Sequence, residues 1–154
     1  MSECGTYVQN KQQAIFAIWC DQGWDRRTIL AKLIDSGYEP ISYGRHRLSL
    51  DLKNGLVLKF PRSYKGDIVN QNEAENYLIS LDQDHRYNGK LADCALVFLE
   101  KIPCILMDWV DPTQFSYEDP EWAEYFENAQ VGIHPRTKEV LVYDYGDEDL
   151  SDVA

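Results

Sequence analysis

Positive charge is scarce in this chain of 154 residues. It has 15 lysines and arginines against 26 aspartates and glutamates, and its formal net charge is −11. Long apolar runs are also missing, because stretches such as residues 95–99 are far too short to cross a bilayer. The first ten residues are polar and mixed, so we expect no secretory leader. These absences predict a cytoplasmic protein, in its own cell or in an infected host, with no membrane partner.

Paired metal-ligand motifs are missing as well. The four cysteines form no C-x-x-C pair, and the three histidines do not cluster with them. Zinc ligands in proteins occur in closely spaced pairs, so this scatter argues against a zinc site. We therefore expect free, buried thiols, which are typical of a reducing compartment, at Cys4, Cys20, Cys94 and Cys104.

The acidic excess is concentrated at one end of the sequence. Residues 111–154 contain twelve acidic residues and two basic ones, whereas residues 36–66 contain two acidic and six basic ones. A strongly negative region repels phosphates, so we expect no direct binding to nucleic acid. It suits a protein partner with a basic surface, although a solvated face that only aids solubility is an alternative. The candidate contact residues are Glu118, Asp119, Glu121, Glu124 and Glu127.

Length and composition predict one domain, because 154 residues with 44% hydrophobic side chains can bury a sizeable core. It begins with a predicted helical pair, residues 12–20 and 26–35. Asp25 caps the second helix and Gly37 ends it, while Ile29, Leu30, Leu33 and Ile34 are predicted to lie on one packed face.

From residue 40 the apolar period changes from helical to alternating. Leu48, Leu50 and Leu52 alternate with polar residues before Asn54-Gly55, which predicts a hairpin. A helix over residues 67–81 follows, with an expected apolar stripe of Ala74, Tyr77, Leu78 and Leu81. Further strands are predicted at 40–43, 56–60, 95–100, 104–110, 130–133 and 139–143, a short helix at 120–127, and a frayed acidic tail at 147–154. The fold class is therefore α+β, with a twisted antiparallel sheet and helices. Within the single domain, 1–154, we distinguish the segments 1–37, 38–110, 111–146 and 147–154.

Several short motifs follow one another in an informative order. A Leu-Val-Leu-Lys stretch ends in Lys59, and Glu73 and Glu75 lie in the predicted helix that follows it. Residues 107–110 read Met-Asp-Trp-Val, and residues 142–146 read Val-Tyr-Asp-Tyr-Gly. Over residues 38–146, about two thirds of the chain, this order resembles the nucleotide-binding lobe of a protein kinase followed by a rudimentary second-lobe hairpin, as in small bacterial or phage kinase-like proteins and pseudokinases.

The resemblance implies roles for individual residues. Lys59 would bind nucleotide phosphates and pair with Glu73, the strand around Asp108 would hold an adenine edge, and Asp144 would hold magnesium with Gln130. The cofactor that the resemblance implies is ATP with Mg²⁺. Each residue also has an ordinary structural alternative: Lys59 as a strand lysine reaching solvent, Asp144 as a turn cap, and Glu73 as an exposed helix residue.

Departures from the kinase pattern matter as much. The glycine-rich loop is reduced to Gly44, Gln130 stands where the family has a metal-binding asparagine, and Tyr125 stands where it has the catalytic aspartate. Only eight residues follow Gly146, so we expect no activation segment or substrate lobe. No residue is assigned as catalytic, and a non-catalytic module is favoured over an enzyme.

Three functions follow from these observations. The preferred one is a degenerate kinase-like module, encoded by a phage or other mobile element, that binds and modulates a protein partner through its acidic face. The second is an acidic inhibitor that mimics nucleic acid on a basic host protein. The third is a minimal ATP-dependent protein kinase or nucleotidyl transferase that uses Glu124 or Glu127 as its base. The basic residues of the 45–65 region either line a phosphate pocket or protect the hairpin edge; only Lys59 favours the pocket.

Overall fold

The computed structural model describes residues 23–112 and 130–152. In these ranges the chain is α+β, as expected, with a five-stranded antiparallel sheet, a two-stranded sheet and two α-helices. The elements in chain order are α1 (Arg26–Asp35), β1 (Glu39–Tyr43), β2 (Arg47–Asp51), β3 (Leu56–Pro61), α2 (Tyr64–Ser80), β4 (Cys94–Leu99), β5 (Ile102–Asp108), β6 (Val131–Ile133), β7 (Val140–Val142) and a 3₁₀ helix (Leu150–Asp152). The large sheet has the order β1-β2-β3-β5-β4, and β6 pairs with β7.

Helix α1 begins and ends where the sequence predicts. The carboxylate of Asp25 accepts a hydrogen bond from the N–H of Thr28 at 2.8 Å, and Gly37 follows the helix with a φ of +95°. Ile29 and Leu33 are fully buried. Ile34 is 43% exposed, so its predicted place on the packed face was wrong. It lies five positions after Ile29, which turns it away from the shared face.

The β2–β3 hairpin is confirmed: buried side chains alternate with partly buried ones along β2, and β3 is buried almost throughout. Leu50, Leu58 and Phe60 are fully buried in the core cluster that contains Ile29 and Leu33 of α1. Ser49 and Lys59 pair across the two strands, and their side chains point to the opposite face because side chains alternate along a strand. The register of this hairpin therefore turns Lys59 away from α1.

Helix α2 corrects two predictions. It begins at Tyr64 after the N-cap Ser63, not at Asp67. The predicted apolar stripe was wrong for Leu78 and Leu81, which are 67% and 51% exposed, whereas Ala74 and Tyr77 are partly buried against a second core cluster. The buried positions instead include the polar residues Asn70, Glu73, Asn76 and Ser80. Polar side chains are stable there because the helix faces strand-end carbonyls and charged groups that bond to them.

The second core cluster lies on the other face of the sheet. Residues of β5, β6 and β7 meet there, and Tyr145 and Leu150 are both fully buried in it. The amide of Leu150 donates to Oδ1 of Asn76 at 3.3 Å, and its carbonyl pairs with Nε2 of His85 at 2.9 Å. The prediction of a frayed tail was therefore wrong for residues 147–152, which pack against α2.

Several predictions concern residues outside the described ranges. These are the helix at 12–20, the helix at 120–127, and the thiols of Cys4 and Cys20. Of the other two cysteines, both free as expected, Cys104 is buried and Cys94 is partly buried. None of the described helices combines the length and the apolar character needed to cross a membrane.

Candidate functional site

Lys59 lies on β3 and is only 5% exposed. Its ammonium donates to Oε1 of Glu73 at 2.7 Å and to the backbone carbonyl of Tyr143. The alternative of a lysine that reaches solvent is therefore wrong. Burial lowers the pKa of Lys59, and the neighbouring Glu73 carboxylate offsets only part of that effect.

Glu73 is the fully buried acceptor of this site. One of its oxygens accepts from Lys59, and the other accepts from the backbone N–H of Tyr145 at 2.8 Å. Burial alone would raise the pKa of Glu73, but the charges of Lys59 and Arg47 outweigh it and lower the pKa to about 2. Of the two glutamates that the sequence offered, Glu75 is exposed, so Glu73 is the residue that pairs with the lysine.

Arg47 is the residue that the sequence analysis missed. It opens β2, and its side chain is 11% exposed. The guanidinium binds both carboxylate oxygens of Glu73, at 2.7 and 3.3 Å, and Oδ1 of Asp144 at 2.7 Å. Burial would lower the pKa of Arg47, but the Glu73 carboxylate raises it above its usual value. We call Arg47, Lys59, Glu73 and Asp144 the ion cluster.

Asp144 is the most exposed member of the ion cluster, with 45% of its side chain accessible. It follows β7, and Gly146 two residues later lies directly against α2. A Cβ at position 146 would come within 2.8 Å of the Val69 carbonyl oxygen and 3.3 Å of the Glu73 carboxylate. Only glycine permits this approach, which holds the Asp144 segment against the buried glutamate.

Asn70 supports the ion cluster from the same face of α2. Its side-chain amide donates to the carbonyls of Lys59 and Pro103, at 3.1 and 2.9 Å, and its oxygen accepts from Arg47 at 3.2 Å. The β3–β5 ladder ends at Lys59 and Ile105. Asn70 thus supplies the donor that the two strands no longer give each other, and it fixes Arg47 at the same time.

A cavity of about 350 Å³ opens beside the ion cluster. We call it the main cavity. It is lined by the β1–β2 loop with Gly44, Arg45 and His46, by Val57 and Lys59, by residues 107–110, and by Tyr143, Asp144 and Asp147. Its size lies within the range of small-molecule sites. Three sequence-predicted residues, Lys59, Asp108 and Asp144, line it together, and Glu73 lies behind Lys59.

Asp108 also borders a second cavity of about 330 Å³, which the sequence analysis did not predict. Its carboxylate lies 3.4 Å from Nε2 of His134, a residue that is 5% exposed. The other ring nitrogen of His134 accepts from the amides of Arg136 and Thr137. Asp108 therefore joins the end of β5 to the β6–β7 hairpin.

The two predicted magnesium ligands, Asp144 and Gln130, both bind groups of the protein. The carboxylate of Asp144 binds Arg47. The amide nitrogen of Gln130 donates to the Asp144 carbonyl at 2.8 Å and to Oε1 of Glu148 at 3.2 Å. Gln130 therefore stabilises the backbone of the segment after β7. Among the residues that the structure describes, no group of three or more histidines, cysteines or acidic residues is placed to hold a metal.

The predicted partner-contact residues Glu118, Asp119, Glu121, Glu124 and Glu127 lie outside the described residues. The chain was also compared with known proteins: no family model matches it, and no curated protein matches it.

Proposed function

We propose that this chain is a non-catalytic, kinase-like module that binds a nucleotide in the main cavity and a basic protein through its acidic C-terminal third. One observation carries the nucleotide part of this proposal. The buried Lys59–Glu73 pair, with 2.7 Å between the ammonium and the carboxylate, lies at the same cavity as Asp144.

The convergence of separate segments supports this reading. Lys59 comes from β3, Asp108 from the end of β5, and Asp144 from the segment after β7, and all three line the main cavity. These motifs are far apart in the sequence, and a nucleotide pocket of this type requires them to meet at one cavity. Apolar side chains such as Val57 and Met107 offer surface for a base, and Arg45 adds positive charge at an exposed position.

The case against catalysis comes from the sequence. Phosphoryl transfer to a hydroxyl requires a positioned base, and Tyr125 stands at the place where the kinase pattern has an aspartate. A tyrosine hydroxyl is a much weaker proton acceptor than an aspartate carboxylate. Binding without transfer therefore accounts for the residues better than a catalytic cycle.

Thermal unfolding with and without ATP tests nucleotide binding. At an ATP concentration roughly 100 times Kd, we expect the midpoint to rise by about 5–10 °C. Ser49 lies in the cavity wall and is small, so Ser49→Leu should fill the cavity and remove the shift. Arg45→Glu should weaken binding, whereas Arg27→Glu, an exposed arginine of α1 away from the cavity, should not. Absence of any shift in the wild type would contradict the proposal.

The partner part rests on charge. Reversing Glu121, Glu124 and Glu127 to lysine should abolish capture of a basic protein, and high salt should weaken capture by the wild type. A matched control reverses three exposed acids elsewhere: Asp35, Glu75 and Asp84. Equal loss in both triple variants, or capture that salt does not affect, would overturn the acidic contact face.

The other two functions give different results in the same assays. An inhibitor that mimics nucleic acid would capture a nucleic-acid-binding protein, and added DNA would displace it. A minimal kinase would transfer labelled phosphate from ATP to itself or to another protein. We expect neither displacement by DNA nor label transfer.

A further inference from the structure

The Asp144 carboxylate, which a metal ion would need as a ligand, already binds the side chain of Arg47. Arg47 contributes two donor nitrogens to this region. One binds Glu73 and Asn70, and the other binds Glu73 and Asp144, with 2.7 Å to the Asp144 oxygen. Because a guanidinium stays protonated at every physiological pH, Arg47 keeps a permanent positive charge beside the Asp144 carboxylate. The arginine is also held in place, since Glu73 is fully buried behind it.

Magnesium does not fit this set of donors. Mg²⁺ requires oxygen ligands in near-octahedral geometry and usually takes one or two carboxylates. Asp144 binds the arginine, and Glu73 is surrounded by Arg47, Lys59 and the Tyr145 amide. Gln130 turns its amide nitrogen toward the Asp144 backbone. A metal at Asp144 would have to displace the Arg47 guanidinium, which lies 2.7 Å from the carboxylate and is itself held by Glu73 and Asn70.

We propose that Arg47 replaces the divalent cation at this site, so that the main cavity binds a phosphate-bearing ligand without metal. This inference rests on the proposed nucleotide binding and specifies which group supplies the positive charge at the site. The ion cluster holds two positive and two negative side chains, and is neutral as a unit. With Asp144 bound to Arg47, the ion cluster places no unpaired carboxylate at the cavity. Arg45 adds positive charge to the lining there, which also includes Asp108 and Asp147.

The cluster geometry also explains why an arginine, and not a lysine, stands at position 47. Arginine presents several N–H donors in one plane and can bind two carboxylates at once. Glu73 and Asp144 reach it from α2 and from the segment after β7. One guanidinium thus bridges the carboxylates of Glu73 and Asp144.

Calorimetric titration of ATP into the wild-type protein tests the inference directly. The titration is done once with excess EDTA and once with excess magnesium chloride. We expect Kd values that differ by less than about threefold, or under about 1 kcal/mol. ATP binding that is more than about tenfold tighter with magnesium would overturn the inference while leaving nucleotide binding intact. No binding in either buffer would overturn both.

The Asp144→Asn variant separates the two roles of this carboxylate. If Arg47 is the cation, the variant should bind ATP in EDTA more tightly than the wild type, because the guanidinium remains and one carboxylate that repels phosphate is removed. If a metal is the cation, Asp144→Asn abolishes magnesium-dependent binding. Asp144 is 45% exposed, so the variant should fold. Asp35→Asn, an exposed aspartate at the end of α1, is the matched control and should match the wild type.

Arg47→Gln gives the reciprocal test. Removal of the guanidinium leaves Asp144 uncompensated, and ATP binding should then be weak in EDTA and recover at least in part with magnesium. Unchanged binding in EDTA would contradict the inference. Should this variant fail to fold, the wild-type and Asp144→Asn titrations still decide between the two cations.

Discussion

Arg47 and Asp144 are 97 residues apart in the chain, yet a guanidinium nitrogen of one lies 2.7 Å from a carboxylate oxygen of the other. The same guanidinium binds Glu73, which in turn accepts from Lys59. These contacts between charged side chains therefore link β2, β3, α2 and the segment after β7. Removing one member should affect both the stability of the fold and the charge of the main cavity.

Glu73→Gln tests the structural part of this statement. The substitution leaves Lys59 and Arg47 buried without their shared carboxylate, and we expect a loss of about 3–5 kcal/mol in the free energy of unfolding. Glu75→Gln changes an exposed glutamate of the same helix and should cost less than about 0.5 kcal/mol. Urea unfolding followed by circular dichroism measures both. Similar small losses in the two variants would contradict the buried position of Glu73.

The pKa of Glu73 predicts how stability depends on pH. Its pKa is about 2 in the folded protein against 4.5 for an ordinary glutamate, so the unfolded chain binds the proton more readily. The resulting stabilisation is fully present above about pH 4.5 and is lost as the pH falls toward 2. Titration of the Glu73 carboxyl carbon by NMR should show no transition until the pH approaches 2. A titration midpoint near pH 4.5 would show that Glu73 is not paired with Lys59 and Arg47.

Gly66→Ala should destabilise the protein although alanine favours helices. In an exposed helix this change gains about 1 kcal/mol. Here a Cβ would lie 2.2 Å from the carbonyl oxygen of His46 and 3.0 Å from Pro61 Cα. Both are main-chain contacts that cannot yield cheaply, so we expect a net loss of about 1–3 kcal/mol.

Thermal unfolding checks the sign of this effect. Asn72→Ala, at an exposed position of the same helix, is the control and should raise stability slightly. A gain at position 66 equal to the gain at position 72 would show that the β1–β2 loop does not rest on α2.

Leu150→Ala tests whether the last described segment belongs to the core. Leu150 is fully buried, and truncation of a buried leucine costs about 2–5 kcal/mol. Leu81→Ala removes the same atoms from a side chain that is 51% exposed, and its cost should be much smaller. Chemical denaturation of both variants gives the comparison. Equally small losses of unfolding free energy in the two variants would show that residues 147–152 are frayed and do not belong to the core.

The sheet was largely predictable, because its signals are local. Alternation around Asn54-Gly55 identified the β2–β3 hairpin, although the positive φ angles fall on Lys53 and Gly55. Asp25 and Gly37 marked the ends of α1 correctly. Each of these depends on backbone preferences of a few neighbouring residues, which a single sequence contains.

The ion cluster was predictable only in part. The order of motifs led to Lys59, Glu73 and Asp144, but nothing local distinguishes Arg47 from Arg45, which is exposed. The partners of Arg47 are 26 and 97 residues away, so its burial is decided by tertiary structure. A signal did exist in α2, where Asn70, Glu73 and Asn76 recur at a spacing of three. A polar stripe at helical spacing can be the buried face when it meets charged groups and open carbonyls.

Hydrogen–deuterium exchange with and without ATP tests the central claim most directly, because it reports where the nucleotide binds. We predict slower exchange in the three segments that line the main cavity: residues 44–47, 107–110 and 143–147. The Arg45→Glu variant should lose this protection, and Arg27→Glu should retain it. Protection confined to residues 134–139 beside the second cavity, or no change anywhere in the chain, would contradict nucleotide binding at the ion cluster.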